Sequence, residues 1–184
     1  MKTRRIELYG GPGSGKSSLT AWLFARLKMQ GVNVEHVQEF IKSWAFTGKV
    51  PISWDQVYVT GHQLHREDII LRSSPDIMLI SESPIFLGAC YAKKFCCPCW
   101  EQLVIIACMF ETHFPATNIF INREDMPYVP EARFENNEEA KQMDAFIKEE
   151  MSYYGIKFKE ISYNDIAGLE KIVQIPKNPL DFVI

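Results

Sequence analysis

Apolar residues follow two different spacings along the chain, and the two spacings alternate. Short apolar-rich runs recur five times, each about the size of a strand that is buried on both faces of a sheet. These runs lie at residues 5–9, 32–37, 77–80, 118–122 and 158–161. Between them, apolar residues recur at helical spacing. Strands that alternate with helices predict βαβ units, and therefore an α/β fold of three layers, with a central parallel sheet of about five strands and helices on both faces.

The helical segments follow from the positions of their apolar residues. Leu19, Leu23 and Leu27 mark one face of the first helix, and Gly31 is its stop signal. Further helices are predicted near residues 56–72, 100–112, 140–154 and 166–173, the second of these as a buried helix. The charged segment at residues 123–137 has no periodicity, which is typical of a surface loop, and the tail after Pro176 is expected to be an extended cover. No repeat or linker divides the chain, so we expect one domain over residues 1–184.

Composition excludes several classes of protein. The chain has 184 residues, of which 47% are hydrophobic and 23% are charged, the balance of a globular domain with a real core. The longest apolar run, Leu103 to Phe110, is far shorter than the ~20 residues that a membrane helix needs. The basic N-terminus is not followed by the apolar stretch of a signal peptide. We therefore expect a cytoplasmic protein with no membrane partner.

Charge is unevenly distributed along the sequence. Residues 1–49 hold eight Lys and Arg against three Asp and Glu, whereas the formal net charge of the whole chain is −3. A general nucleic-acid binder neutralises many phosphates with Lys and Arg, and this balance is unlike that of such a protein. A basic patch in the N-terminal third would fit one anionic ligand better than a wrapped duplex.

The five cysteines predict neither a disulfide framework nor a zinc site. An odd number of cysteines in an apparently cytosolic chain argues against paired disulfides. Cys96 and Cys99 form one C-x-x-C spacing, whereas a structural zinc site usually needs two such pairs. We interpret the cysteines as buried or incidental thiols.

The strongest motif lies between the first strand and the first helix. Residues 10–17 match G-x-x-x-x-G-K-[ST] at every required position, in the strand–loop–helix context that the motif needs. Backbone N–H groups of such a loop cradle phosphates, and the helix adds the positive end of its dipole. The expected ATP-binding residues are Gly10, Gly11, Pro12, Gly13, Ser14, Gly15, Lys16, Ser17 and Ser18. Lys16 can reach the β- and γ-phosphates, and the Ser17 hydroxyl can ligate Mg²⁺.

Three stretches carry a family resemblance together with the glycine loop at residues 10–18; they are residues 37–40, 80–84 and 122–133. On these stretches the chain resembles nucleoside and nucleotide kinases, the thymidylate-kinase-like P-loop kinases, over almost its whole length. Within them it is most similar to small phage-type kinases such as the 5-hydroxymethyluridine DNA kinases. The resemblance implies a P-loop fold with a small lid at about residues 123–137 and an acceptor-site insertion at about residues 40–72. No N-K-x-D motif for reading guanine occurs in the sequence, which weakens a GTPase alternative.

Two acidic residues follow predicted strands at the edge where ligands of open parallel sheets bind. In kinases that this chain resembles, the acid at the position of Glu39 contacts the acceptor hydroxyl. A carboxylate there could accept the hydroxyl proton during phosphoryl transfer, although a Glu that complements a helix dipole is the alternative interpretation. Glu82 follows the third strand, where P-loop proteins place an acid near Mg²⁺, and helix capping is its alternative role. We predict Ser17 and Glu82 as the metal site.

Two arginines are candidates for stabilising the transferring phosphoryl group. Arg123 follows the fourth strand, and Arg133 lies in the aperiodic segment that the resemblance identifies as the lid. Positive charge that arrives as a lid closes would stabilise the transition state, so we predict Lys16, Glu39, Arg123 and Arg133 as catalytic residues. A solvated surface arginine is the alternative for both.

The insertion between the second and third strands is rich in aromatic and amide side chains. Aromatic rings can sandwich a base, and a Gln amide can read a base edge, whereas core packing is the competing interpretation. The predicted substrate-binding residues are Trp44, Trp54, Gln63 and Arg66.

Three classes of acceptor agree with the sequence. The first is the 5-hydroxymethyl group of 5-hydroxymethyluracil in phage DNA, on the route to hypermodified thymidine, and the resemblance favours it narrowly. The others are a nucleoside or nucleoside monophosphate, and ribosylnicotinamide. A P-loop module that hydrolyses ATP to regulate a partner is a further alternative. The sequence indicates no obligate protein partner and leaves monomer and homodimer open.

Overall fold

The computed structural model describes residues 5–123 and 136–175 and contains the predicted sheet. Its strands are β1 (Arg5–Tyr9), β2 (Val34–Val37), β3 (Met78–Ser81), β4 (Ala116–Asn122) and β5 (Lys159–Ser162). They form one sheet in the order β2-β3-β1-β4-β5, and every neighbouring pair is parallel. The predicted α/β fold with a five-stranded parallel sheet is therefore confirmed.

Seven helices of the described residues connect and cover these strands. They are α1 (Lys16–Met29), α2 (Lys42–Phe46), α3 (Asp55–Ser73), α4 (Ile85–Lys94), α5 (Trp100–His113), α6 (Asn137–Tyr153) and α7 (Ile166–Val173). One apolar cluster joins α1 and α7 to one face of the sheet, and a second joins α3, α4, α5 and α6 to the other face. The sheet is thus the middle of three layers.

Side chains alternate between these two clusters along each central strand. On β4, Ile119 and Ile121 pack with α1 and α7, whereas Phe120 between them packs on the opposite face. On β3, Ile80 and Leu79 divide in the same way. Successive strand residues point to opposite faces, so a strand covered on both sides needs apolar residues at nearly every position. This is why the short continuous apolar runs predicted strands correctly.

The structure differs from the sequence-based expectations at three places. The short helix α2 and the helix α4 were not predicted as elements. Helix α5 was expected to be buried, but Ile105, Ile106 and Met109 are exposed, with 67% of Met109 accessible. A helix turns its apolar run through every direction, so only the part of the run on one side of α5 can reach the core.

Parts of two further expectations fall outside the described residues. The predicted lid at residues 123–137 coincides mainly with residues 124–135, which include Arg133, and the predicted cover after Pro176 also lies outside.

Across residues 5–123 and 136–175, no helix combines the length and apolar character that crossing a membrane requires.

A buried ionic cluster lies beneath the strand that leads into the glycine loop. Arg5 on β1 is 2% exposed and forms ion pairs with Glu7, Glu67 and Glu111. Burial raises the pKa of the Glu67 carboxyl, while Arg5 lowers it. The Tyr9 hydroxyl donates a hydrogen bond to Glu7 at 2.9 Å, and burial raises the pKa of Tyr9 well above its ordinary value. A single guanidinium therefore compensates two buried carboxyls, those of Glu7 and Glu67, and the half-buried carboxyl of Glu111.

We expect the Arg5→Ala variant to lower the free energy of unfolding by about 3–5 kcal/mol, because removing one partner leaves buried charge without compensation. Urea denaturation measures the change. Arg72→Ala is the matched control, since Arg72 pairs with Asp68 on the surface of α3 and exposed pairs contribute less than about 1 kcal/mol. Equal losses in the two variants would contradict the stabilising role of the Arg5 cluster.

Candidate functional site

The glycine loop occupies residues 10–15, between the end of β1 and the start of α1. Gly13 and Gly15 have φ angles of 73° and 91°, in the left-handed region where residues with a Cβ are strained. Helix α1 begins at Lys16 directly after this turn. Its first N–H groups have no carbonyl partners within the helix, and they bear the positive end of the helix dipole. The loop and the helix end together provide the donor set of an anion-binding site.

The side chain of Lys16 folds back onto the start of this loop. Its ammonium group donates hydrogen bonds to the carbonyl oxygens of Gly10 at 2.7 Å and Gly11 at 2.9 Å. The residue is only 8% exposed. A cation with three donors that is fixed beside the loop can contact the outer phosphates of a bound nucleoside triphosphate.

A carboxylate on α6 anchors the loop from outside. Asp144 accepts a hydrogen bond from the Gly11 backbone N–H with one oxygen and from Arg123 Nε with the other. Arg123 also donates to the carbonyl oxygen of Ala140 at 3.2 Å and is 7% exposed. Arg123, which was predicted as a catalytic residue, thus lies in a buried bridge between β4 and α6. Its contacts with Asp144 and Ala140 are those of a residue that positions the glycine loop.

Sequence reasoning missed Asp144, although one signal was available. Ala140, Met143, Ile147 and Met151 form the buried stripe of α6, and Asp144 lies next to that stripe. A charged residue at the border of an apolar face has to find a partner when the helix packs. The pattern cannot say which partner, because Gly11 is 133 positions away along the chain.

Two acidic residues meet where β2 and β3 end. Val37 and Ser81 are paired in the parallel register, so the residues that follow them emerge side by side. The Glu82 carboxylate accepts a hydrogen bond from the Glu39 backbone N–H at 3.0 Å, and Glu82 is 5% exposed. Both predicted acidic residues therefore lie at the same edge of the sheet as the glycine loop.

Ser17 and Glu82 offer oxygen ligands of the kind that Mg²⁺ prefers. Together with Glu39 they line one cavity beside the loop, and Lys42 Nζ lies 3.5 Å from the Ser17 hydroxyl oxygen. The described residues contain no cluster of three or more His, Cys, Asp or Glu that could hold a metal. Mg²⁺ at a P-loop keeps waters and takes phosphate oxygens in addition to one or two protein ligands.

A cleft of about 620 Å³ extends from the glycine loop, and we call it the first cleft. Glu39 and Lys42 line it near the loop, and Gln56, Val59 and Tyr91 line it farther along. A largely apolar cleft with a few polar groups is typical of small-molecule sites, which measure about 300–1,000 Å³.

The four predicted substrate-binding residues have different environments. Trp44 is half-buried and stacks with Tyr58, with Lys49 Nζ 3.3 Å from its ring centre. Trp54 is 59% exposed at the start of α3. Among the residues that the structure describes, neither tryptophan lines the first cleft.

The amide predicted to read a base lies in the protein interior. Gln63 is 3% exposed, and its Nε2 donates to the Glu67 carboxylate at 3.1 Å and to the Ser81 hydroxyl at 3.3 Å. On α3, the amide that lines the first cleft is instead that of Gln56, two helical turns earlier. Arg66 donates to the Gln38 carbonyl at 3.2 Å, close to the end of β2.

We expect Asp144→Ala to raise the dissociation constant for ATP at least about tenfold, because the loss of the carboxylate leaves the Gly11 N–H and the Arg123 Nε–H without an acceptor. Isothermal titration measures the affinity without requiring turnover. Glu149→Ala is the control, since Glu149 is an acid on the same helix, outside its buried stripe. Unchanged ATP affinity in the Asp144 variant would show that the anchor is dispensable.

Comparisons with known proteins agree with this architecture. A solved structure, "Crystal structure of NadR protein in complex with NR", superposes with a TM-score of 0.65 at 14% sequence identity, covering 97% of this chain and 54% of that one. The present chain thus spans about half the length of that protein, and the likeness is one of fold. No curated protein sequence matches the chain. A family model described as an AAA domain matches residues 5–167, and the chain therefore belongs to the AAA domain family.

Proposed function

We propose that the protein is a Mg²⁺-dependent phosphotransferase that moves the γ-phosphate of ATP to a hydroxyl group bound in the first cleft. One observation carries the proposal: Glu39 lines the same cleft as the glycine loop residues and as the apolar walls farther along. A P-loop that only hydrolyses ATP needs no such second compartment. A kinase needs one, with a proton acceptor between its two substrates.

The donor side of the site follows from the loop. Backbone N–H groups near Gly13, Gly15 and Lys16 would bind the phosphate oxygens, and the Lys16 ammonium would contact the β- and γ-phosphates. Ser17 and Glu82 would hold Mg²⁺, which offsets the negative charge of the triphosphate when it is bound. Donors and cations that are already oriented toward the phosphates need little reorganisation as charge develops on the transferring group.

Glu39 would act on the acceptor side. Its carboxylate accepts the proton of the acceptor hydroxyl while the hydroxyl oxygen forms a bond to the γ-phosphorus. The bond from that phosphorus to the bridging oxygen of the β-phosphate breaks, and ADP leaves with the electron pair. Lys42 lines the same end of the cleft and adds positive charge near the transferring group.

The arginines have separate roles in this proposal. Arg123 positions the loop through Asp144. Arg133 is our candidate for the lid cation, on the basis of its place in the sequence between β4 and α6. Closure of a segment over the phosphates would exclude water and favour transfer over hydrolysis.

The first cleft favours a nucleoside-type acceptor. Val59 and Tyr91 offer apolar surface, while Gln56 and Ser83 offer hydrogen-bonding groups. We propose the 5-hydroxymethyl group of 5-hydroxymethyluracil in phage DNA as the first candidate, because thymine lacks that primary hydroxyl. The fold shared with a NadR protein in complex with NR supports ribosylnicotinamide as the second candidate. A nucleoside monophosphate, the third candidate, would contact the same residues of the first cleft.

An ATP-hydrolysing regulatory module has one observation in its favour. The outer face of α5 exposes Ile105, Ile106 and Met109, an apolar surface of the kind that partners cover. Such a module would release its phosphate to water, so the fate of the phosphate separates the two functions.

The acceptor is identified by incubating the protein with γ-labelled ATP, Mg²⁺ and separate acceptors. The set contains 5-hydroxymethyluracil DNA, thymine DNA, the free hydroxymethyl nucleoside and its monophosphate, and ribosylnicotinamide. We expect label in hydroxymethyluracil DNA and none in thymine DNA. Label only in ribosylnicotinamide or a free nucleoside would contradict the DNA assignment, and label only in inorganic phosphate would contradict the kinase.

Glu39→Gln should lower kcat on the order of 10²-fold or more with little change in ATP affinity, because the amide keeps the shape but cannot accept a proton. Steady-state kinetics and ATP titration measure the two quantities. Glu35→Gln is the control, since Glu35 lies on the preceding strand β2 but pairs with Lys28 at the surface. A normal kcat with weakened ATP binding would place Glu39 on the donor side instead.

A further inference from the structure

A second cavity, of about 780 Å³, adjoins the first cleft. We call it the second cleft. Ser17, Glu39 and Lys42 line both cavities and form the wall between them. The second cleft extends from that wall along α1 and the end of β2 to Phe46 on α2. A ligand group in the first cleft could therefore continue past Glu39 into the second.

Two cations on the second cleft have no carboxylate partner. Within residues 5–123 and 136–175, neither Lys42 nor Arg66 forms an ion pair; Lys42 contacts the Ser17 hydroxyl at 3.5 Å, and Arg66 contacts the Gln38 carbonyl at 3.2 Å. The contact with Gln38 uses one of the five N–H donors of the Arg66 guanidinium. By contrast, Arg72 on the same helix pairs with Asp68. The two cations of the second cleft are thus placed to bind an external anion.

The second cleft also contains two acids, Glu39 and Glu82. Glu82 accepts the Glu39 backbone N–H, and Glu39 lies on the wall that the second cleft shares with the first. Mg²⁺ at Ser17 and Glu82 would offset their charge on that side. Arg66 is the cation that reaches the second cleft from α3 and does not line the first cleft.

Other side chains around the second cleft suit a planar ring. Phe24 and Phe46 line it, and Phe24 meets His36 edge-on with ring centres 4.6 Å apart. The Thr20 hydroxyl is buried without a hydrogen-bond partner in a residue that is 2% exposed, and His36 Nδ1 likewise has none among the residues that the structure describes. Aromatic walls are surfaces on which nucleobases stack.

We infer that the second cleft binds a nucleotide joined to the acceptor unit, with its phosphate on Arg66 and Lys42 and its base against Phe24 and Phe46. The inference rests on the proposed function, since it places the acceptor unit in the first cleft. It deepens that function, because a linked neighbour makes the acceptor part of a nucleic-acid strand. Phosphate contacts fix the register of a strand, and stacking contributes without selecting sequence.

The first test compares acceptors of increasing size at one salt concentration. They are the hydroxymethyl nucleoside, the same nucleoside with a terminal phosphate, and a dinucleotide in which one phosphodiester joins it to thymidine. We expect kcat/KM for the dinucleotide to exceed that for the nucleoside at least about tenfold, since a charge-assisted phosphate contact and one stacked base are both added. If kcat/KM for the dinucleotide does not exceed that for the nucleoside, the inference is overturned. If the nucleoside with a terminal phosphate has the same kcat/KM as the dinucleotide, the proposed base contact is overturned.

The Arg66→Gln variant tests whether the higher kcat/KM of the dinucleotide depends on the second cleft. The amide can still donate to the Gln38 carbonyl but carries no charge. We expect the ratio of kcat/KM for dinucleotide over nucleoside to fall at least about fivefold, whereas Arg72→Gln, about two helical turns later on α3, should keep the wild-type ratio. Equal losses on both acceptors in Arg66→Gln would indicate a general defect and overturn the inference.

A binding measurement separates this inference from the proposed function. Two thymidines joined by one phosphodiester are titrated into the protein without ATP, and the dissociation constant is followed at rising salt. We expect weaker binding and a shallower salt dependence in Arg66→Gln than in the wild type and in Arg72→Gln. Arg66-dependent binding without phosphoryl transfer would refute the kinase and retain the second cleft; transfer with Arg66-independent binding would refute the second cleft alone.

Discussion

Parallel pairing of β2, β3 and β1 forces the residues that follow these strands onto one edge of the sheet. The glycine loop follows β1, Glu39 comes shortly after β2, and Glu82 directly follows β3. These residues are far apart in sequence, yet the register leaves them side by side, so that the Glu39 N–H bonds to the Glu82 carboxylate. The general rule that ligands of open α/β sheets bind at the carboxyl ends of the strands has this physical basis. Both clefts open from that edge.

Buried polar contacts hold the edge in place from behind. Arg5 links β1 to Glu67 on α3 and Glu111 on α5, and Ser81 donates to the same Glu67 at 2.7 Å. Asp144 links α6 to the glycine loop. Such contacts fix orientation, because separating the partners would leave buried charge without compensation. The strands that lead into the glycine loop and into Glu82 are therefore linked by hydrogen bonds and ion pairs to the helices packed on the sheet.

The sequence predicted what local patterns control and missed what depends on contacts between distant residues. The strands were predicted from short apolar runs. The glycine loop was predicted from a motif whose residue spacing determines the conformation of the loop. The distinction between Gln56 in the first cleft and Gln63 in the interior could not be made, since both lie on one helix and only packing decides which amide faces the cleft. The bond between Asp144 and Gly11, and the place of Arg123 beside it, required the tertiary structure for the same reason. The exposed face of α5 was missed because composition does not reveal which side of an apolar helix is covered.

Glu39 and the glycine loop line one cleft, and we propose that this arrangement passes a phosphoryl group to a bound hydroxyl and not to water. The most direct measurement is the stoichiometry of products during a single incubation with ATP, Mg²⁺ and the preferred acceptor. We predict one phosphorylated acceptor for each ADP formed, and an ATP consumption that falls to a small residual rate when the acceptor is omitted. Inorganic phosphate formed in equal amount to ADP, at a rate that no acceptor changes, would contradict phosphoryl transfer as the function.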